Sequence, residues 1–260
     1  MGDVAKATIS DANPALFLAI GIFVLAFIVL YSMSIPEPHI VAEKSTEKNT
    51  HSPLSFRHFV LGAIAIFVYV GVEVGIPNIG NLYMTGDLQI NATTAGTVVG
   101  TYWFLMLVGR LTGGVLGSKF SSKSMLSFAA VLGLVFVLLA IFLPKDQMVS
   151  MPVFQSDISF GLAQVPVSIM LLVLCGLCTS VMWGGIFNLA TEGLGKYTAA
   201  ASGIFMVMVC GGGIIPAIQG YAADIFGYVQ SYWVVVIGIT YMLFYALVGS
   251  KNVNKDIKVD

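Results

Sequence analysis

Long runs without a charged residue dominate this sequence and constrain it more than any motif. Such runs cover 13–36, 59–72 (resuming after Glu73 to 86), 88–109, 124–144, 158–191, 197–223 and 225–250. Each reaches or exceeds the ~20 residues that a helix needs to cross hydrocarbon, once the interruption at Glu73 is bridged. None shows the ~10-residue apolar alternation of an outer-membrane barrel strand. Only 10% of the 260 residues are charged, against ~25% in average soluble domains. Too few charges remain to clothe a soluble globule, which excludes an ordinary cytosolic enzyme, a secreted disulfide scaffold and a disordered segment. A net charge of −1 leaves no basic field for nucleic acid. The composition predicts an all-α integral membrane protein.

Seven helices are expected, near 14–35, 58–80, 92–117, 124–143, 165–187, 199–220 and 228–249. The first run is too long for a signal-peptide core and its flank is acidic, so it reads as a span and not a cleaved leader. Lys and Arg set the direction. One set of loops carries Lys44, Lys48, Arg57, Arg110, Lys119, Lys123, Lys196, Lys251, Lys255 and Lys258, and the other only Lys6 and Lys145. That asymmetry predicts an outside N-terminus and a cytoplasmic C-terminus. The longest charged linker, 36–57, divides the chain into an outside segment with one helix (1–35), a cytoplasmic linker, a six-helix bundle (58–250) and a cytoplasmic tail (251–260). Cys175, Cys178 and Cys210 lie in apolar runs with no second pair and no nearby His, so they read as packed small residues and no metal site is expected.

Glu73, in YVGVEVGIPNIGNLY, is the one ionisable residue expected at mid-membrane depth. A carboxylate there costs roughly 2.5–3.5 kcal/mol on insertion scales. It must protonate, pair or line water. Tyr69 lies one turn before it on the same face. Gly71, Gly75, Pro77 and Gly80 surround it, with Asn78 among them, and are expected to weaken or bend the helix and expose backbone to a cavity. The fifth span repeats the design with Thr179, Trp183, Gly184, Gly185 and Asn188, and matched interruptions of this kind point to a transporter's site. The sixth adds Gly211, Gly212, Gly213 and Pro216, then Gln219; the three glycines permit close packing or a hinge. Tyr102, Trp103 and Trp183 can stack on a sugar ring or belong to an interfacial belt. The candidate substrate-binding set is therefore Glu73, Tyr69, Asn78, Tyr102, Trp183, Asn188 and Gln219.

Arg110 closes the third span as drawn, followed by LTGGVLGSKFSSK. A snorkelling end anchor is one reading; the motif spacing favours the other, in which Arg110, with Gly113, Lys119 and Lys123, belongs to a charged turn that locks and releases two helices. Gly71/Gly75, Gly96/Gly100 and Gly109/Gly113/Gly117 follow the small-xxx-small spacing of closely packed helices.

GRLTGGVLGSKFSSK resembles the loop signature of the major facilitator superfamily in its second-half copy. FVYVGVEVGIPN and MWGGIFNLATEGLGKYTAAASGIFMVMVCGGGIIPAIQGYAAD resemble, more specifically, the fucose/glucose/galactose–proton symporter family, and the likeness covers about 14–250. The resemblance implies a twelve-helix, two-bundle fold and proton-driven uptake of hexoses or deoxyhexoses by alternating access, in a bacterial inner membrane. The chain looks like helices six to twelve of that fold. The resemblance carries over Glu73, Asn188, Gln219 and Arg110; the coupling acids expected in the first bundle have no match here. It implies a sugar substrate, a proton as coupling ion, no cofactor, and a requirement for the missing N-terminal bundle. Two alternatives stand beside it: a truncated fragment that transports nothing alone, and a seven-span ligand-sensing receptor. Retinal chemistry is excluded because 228–249 holds no lysine. An enzyme is disfavoured because His39, His51 and His58 lie in or beside the linker and no second mid-membrane acid is expected.

Overall fold

The computed structural model describes residues 13–33, 51–155, 158–254, 256–257 and 259. The chain divides into two compact units, 1–50 and 51–260, with the division falling inside the expected linker. The first unit contributes one described element, the apolar helix α1 (Asn13–Ser32), where the first span was expected. Most of the linker, including His39, Lys44 and Lys48, lies outside the described residues, as do Lys6, Lys255 and Lys258.

The second unit is a helical bundle. Its elements are α2 (Arg57–Gly86), α3 (Ala92–Leu116), α4 (Ser122–Phe142), β1 (Met148–Phe154), β2 (Phe160–Pro166), α5 (Val167–Ser180), α6 (Met182–Thr191), α7 (Thr198–Val207), α8 (Gly211–Phe226), α9 (Tyr228–Ser231) and α10 (Trp233–Phe244). α5 and α6 together make one span, as do α7 with α8, and α9 with α10. Six helices among the described residues of this unit are thus long and apolar enough to cross a membrane, each close to its expected place. The first of them runs farther than expected, to Gly86.

α2 is the central helix, packed against α8, α6, α10 and α3. Glycine spacing explains how closely. A Cβ at Gly71 would fall on Ile215 and one at Gly75 on Gln219 Oε1, so the side chains of α8 occupy the space those glycines leave. On α3, Gly109 and Gly113 play the same part against Ser180 and Val181, but Gly96 faces open space and Gly117 touches only its own helix. The spacing rule therefore succeeds for two of the three groups and fails for Gly96/Gly100.

The helix interruptions differ from those expected. α2 is continuous through Pro77. Proline lacks the N–H that would bond the carbonyl one turn back, and the freed Glu73 carbonyl instead accepts from the Tyr102 hydroxyl at 3.0 Å. The fifth span does break, at Val181 between α5 and α6. The sixth breaks at a 3₁₀ turn, Met208–Cys210, just before the glycine triplet.

One element contradicts a purely helical reading. β1 and β2 form an antiparallel hairpin between α4 and α5, pairing Val149 with Val165, Met151 with Ala163 and Val153 with Gly161. Met151, Val153, Ala163 and Val165 are buried, while Pro152, Leu162 and Gln164 are exposed, the period-2 alternation of a half-buried strand. The uncharged run 158–191 takes in 160–166 with the helix expected at 165–187, and hydropathy alone does not separate the strand from it because both are apolar. The hairpin is fixed to α3: Phe154 N–H donates to Thr101 Oγ1 at 2.8 Å, and the Phe104 ring stacks on Phe154 with centroids 4.7 Å apart. The C-terminal tail is likewise docked, with Asn254 Oδ1 accepting from the Arg57 N–H at 3.0 Å.

Candidate functional site

α2, α3 and the broken α5–α6 span surround a cavity of about 720 Å³. Glu73 and Val70 line it from α2, Arg110, Gly113, Gly114 and Gly117 from α3, and Ser180, Val181, Trp183 and Asn188 from the fifth span. Glycine on α3 keeps this wall low and leaves the space open.

The acid in the cavity has a partner. Arg110 Nη2 donates to Glu73 Oε1 at 2.6 Å, forming an ion pair between α3 and α2. Arg110 is therefore neither an end anchor nor part of the loop: α3 continues past it to Leu116, and its guanidinium reaches the carboxylate on the neighbouring helix. Glu73 is buried, its side chain 10% exposed, whereas the Arg110 side chain is 52% exposed. A guanidinium carries five N–H donors. With one directed to Glu73, others remain available to oxygen atoms in the cavity. The pair brings no net charge into the bundle, which offsets much of the cost of a lone carboxylate.

Trp183 lies half-buried at the cavity wall, its ring stacked on Phe187 at 5.3 Å and meeting Phe205 edge-on. Asn188 is exposed one turn along, its Nδ2 3.4 Å from Ser122 Oγ. Donors, an acceptor, an amide and an aromatic face thus converge on one space, the set of contacts that a polyhydroxylated solute requires.

Four expected binding residues lie elsewhere. Tyr69 and Tyr102 are fully buried and commit their hydroxyls to the protein. Tyr69 donates to the Thr179 carbonyl at 3.1 Å. Tyr102 donates to the Glu73 carbonyl and lies 3.2 Å from Thr179 Oγ1. Both therefore position the α2 and α5 backbones beside the cavity instead of lining it. Gln219 is completely buried between α8 and α2, with neither amide atom hydrogen-bonded. Asn78 is exposed on α2 outside the cavity lining. Of the residues expected to gate, Gly113 lines the cavity and Lys119 is exposed in the turn after α3. Lys123, in the first turn of α4, donates to the Leu247 carbonyl at 3.0 Å. Ser122 and Met125 of α4 join the lining unforeseen, because nothing in the sequence brings the start of that helix to this space. Cys175 and Cys178 are buried free thiols and Cys210 an exposed one.

Residues 61–256 match the model of the Major Facilitator Superfamily. The chain belongs to that superfamily. It is a multi-pass membrane protein. It is 31% identical over 263 residues to a putative glucose/galactose transporter of Helicobacter pylori (strain ATCC 700392 / 26695), covering 97% of this chain and 59% of that protein. It is 30% identical over 244 residues to the glucose/galactose transporter of Brucella abortus biovar 1 (strain 9-941), covering 92% and 53%. The L-fucose-proton symporter of Escherichia coli (strain K12) is 26% identical over 178 residues. In fold, the chain is similar to the crystal structure of the superfamily transporter FucP in the outward conformation, with TM-score 0.71 at 18% identity, covering 96% of this chain and 60% of that one. The chain spans little more than half the length of the glucose/galactose transporters it matches.

Proposed function

We propose that this bundle is one half of a secondary transporter that carries a hexose or deoxyhexose across a bacterial inner membrane, coupled to protons, by alternating access. The observation that carries the reading is the Glu73–Arg110 pair set in the wall of a sugar-sized cavity beside Trp183 and Asn188. The names of the relatives supply the substrate class. In this reading the N-terminus lies outside and the C-terminus inside, 58–250 forms the second bundle, and 36–57 is the central cytoplasmic linker. Arg110 and Asn188 hold sugar oxygens, Trp183 covers a ring face, and Glu73 takes and releases the coupling proton as its partner changes. Alternating access needs two bundles rocking about a site between them. The activity is therefore proposed for this bundle with a complementary half, supplied by the same polypeptide or by a second one.

Uptake of labelled D-glucose, D-galactose and L-fucose into transport-deficient cells tests the reading, with and without a co-expressed complementary bundle. Uptake of at least one sugar, abolished by a protonophore, is expected when both halves are present. No uptake of any of the three by the complete pair rejects sugar transport. Uptake indifferent to the protonophore rejects proton coupling. Glu73→Gln should lower uptake or change its pH dependence while insertion is unaltered; unchanged uptake at every pH reduces Glu73 to a packing residue.

A further inference from the structure

The β1–β2 hairpin reaches deeper than a connection between two spans requires. Phe154, the last paired residue of β1, bonds to Thr101 and stacks on Phe104. Both partners lie well inside α3, which begins at Ala92. At 1.5 Å per residue α3 is about 37 Å long, against ~30 Å of hydrocarbon. Centred on that layer, the helix carries Thr101 roughly 10 Å into it from the end where α3 begins. The inner face of the hairpin is buried, and the strands pack on α3 and α5. Its far end is therefore at membrane depth.

A two-stranded ribbon is a poor neighbour for lipid. Antiparallel strands turn part of their backbone N–H and C=O groups toward each other and the rest away. Among the described residues the sheet holds no third strand. The β1 edge rests on α3, where the Thr101 hydroxyl accepts the Phe154 N–H. Along β2, no backbone hydrogen bond from another element reaches the outer edge among the described residues. Open sheet edges do not occur against hydrocarbon, so this edge must meet water or protein. Water alone does not suit the face beside it. Phe160 is 63% exposed and Leu162 75%, and Pro152, the register partner of Leu162, is exposed with them. The Phe160 ring is already held edge-on by Phe104 and Phe154, so the face is formed before anything covers it. Contiguous exposed apolar surface of this kind marks an interaction site. The two glucose/galactose transporters, of which this chain covers 59% and 53%, carry the further chain that could meet it.

We propose that the outer face of this hairpin, formed by Pro152, Phe160, Leu162 and the free edge of β2, is a contact surface for the complementary bundle. The assignment rests on the two-bundle reading above. Two measurements test it. The first uses the chain alone in membrane vesicles, with Cys210→Ser removing the exposed native thiol. A charged, membrane-impermeant maleimide, applied from either side, should modify Leu162→Cys at least tenfold faster than Val153→Cys on the buried face. Leu162→Cys as slow as Val153→Cys means that lipid covers the face, and a Leu162→Cys disulfide between two copies means that a second copy does; either overturns the proposal. The second measurement is capture of the complementary bundle, using as probe the part of the Helicobacter pylori relative that this chain does not match. Leu162→Glu should insert and unfold like the parent, because the side chain is exposed, yet capture at least tenfold less of the probe. Capture indifferent to Leu162→Glu overturns the contact surface and leaves the two-bundle reading standing. No capture by the parent chain rejects the two-bundle reading, and this proposal falls with it. Loss of capture by Leu162→Glu in a pair that takes up no sugar supports the surface while rejecting sugar transport.

Discussion

Separating Glu73 from Arg110 should affect the two partners unequally, and the asymmetry follows from their exposures. Exposed ion pairs contribute ~0–1 kcal/mol, whereas removing one member of a buried pair costs ~3–5 kcal/mol. Here one member is buried and the other half open to the cavity. Arg110→Met strands the buried carboxylate, so its cost should approach the buried limit, about 3 kcal/mol. Glu73→Gln strands a guanidinium that can turn to cavity water, and the new amide oxygen still accepts from it, so about 1 kcal/mol is expected. The double variant leaves neither charge and should cost no more than about 1 kcal/mol, a coupling of roughly 3 kcal/mol. For a bundle of this size each kcal/mol moves Tm by roughly 2–4 °C. Thermal unfolding of the purified protein, followed by tryptophan fluorescence, should therefore show Arg110→Met falling by roughly 6–12 °C and the double variant recovering most of that loss. If the two single losses simply add in the double variant, or if Glu73→Gln unfolds earlier than Arg110→Met, the pair is not what holds the acid in place.

Other consequences test the bundle around the site. Tyr102→Phe should destabilise by about 1–2 kcal/mol by leaving the Glu73 carbonyl without a donor, and by less when combined with Pro77→Ala, whose new N–H can serve that carbonyl; an equal loss in both backgrounds on chemical unfolding contradicts the link. Gly211→Ala drives a Cβ onto the Phe67 carbonyl and should lower stability by about 1–3 kcal/mol. Gly213→Ala points into open space and should raise stability by up to about 1 kcal/mol; if it also slows uptake, the third glycine serves as a hinge, and if it lowers Tm this packing is wrong. Gln219→Leu removes two unpaired amide atoms from a buried position and should not destabilise the fold; a clear Tm loss would show that the amide is bonded after all.

The position of each span was legible in the sequence because hydrocarbon leaves the backbone no partner outside its own helix. Any apolar run of sufficient length must therefore become a helix, and α3 and α4 begin and end within two residues of where hydropathy put them. The special character of Glu73 was legible for the same reason, since a carboxylate in an apolar run is expensive wherever it faces. The Glycine pairs at 71/75 and 109/113 were readable as contacts, but not their counterparts on α8 and α5.

What tertiary packing alone decided was which neighbour each polar group meets. Arg110 was placed at the end of its span, in a charged turn, because charge marks the end of a hydropathy run. Only the placement of α3 beside α2 turns its side chain onto Glu73. Tyr69, Tyr102 and Gln219 looked like ligands because polar groups in apolar helices need partners. Tyr69 and Tyr102 found theirs in backbone carbonyls on adjoining helices, and Gln219 was enclosed against Gly75. The hairpin escaped notice because its buried residues are as apolar as the helix that follows. One-dimensional hydropathy determines depth in the membrane, but the rotation and neighbours of each helix depend on side-chain fit between elements distant in the chain.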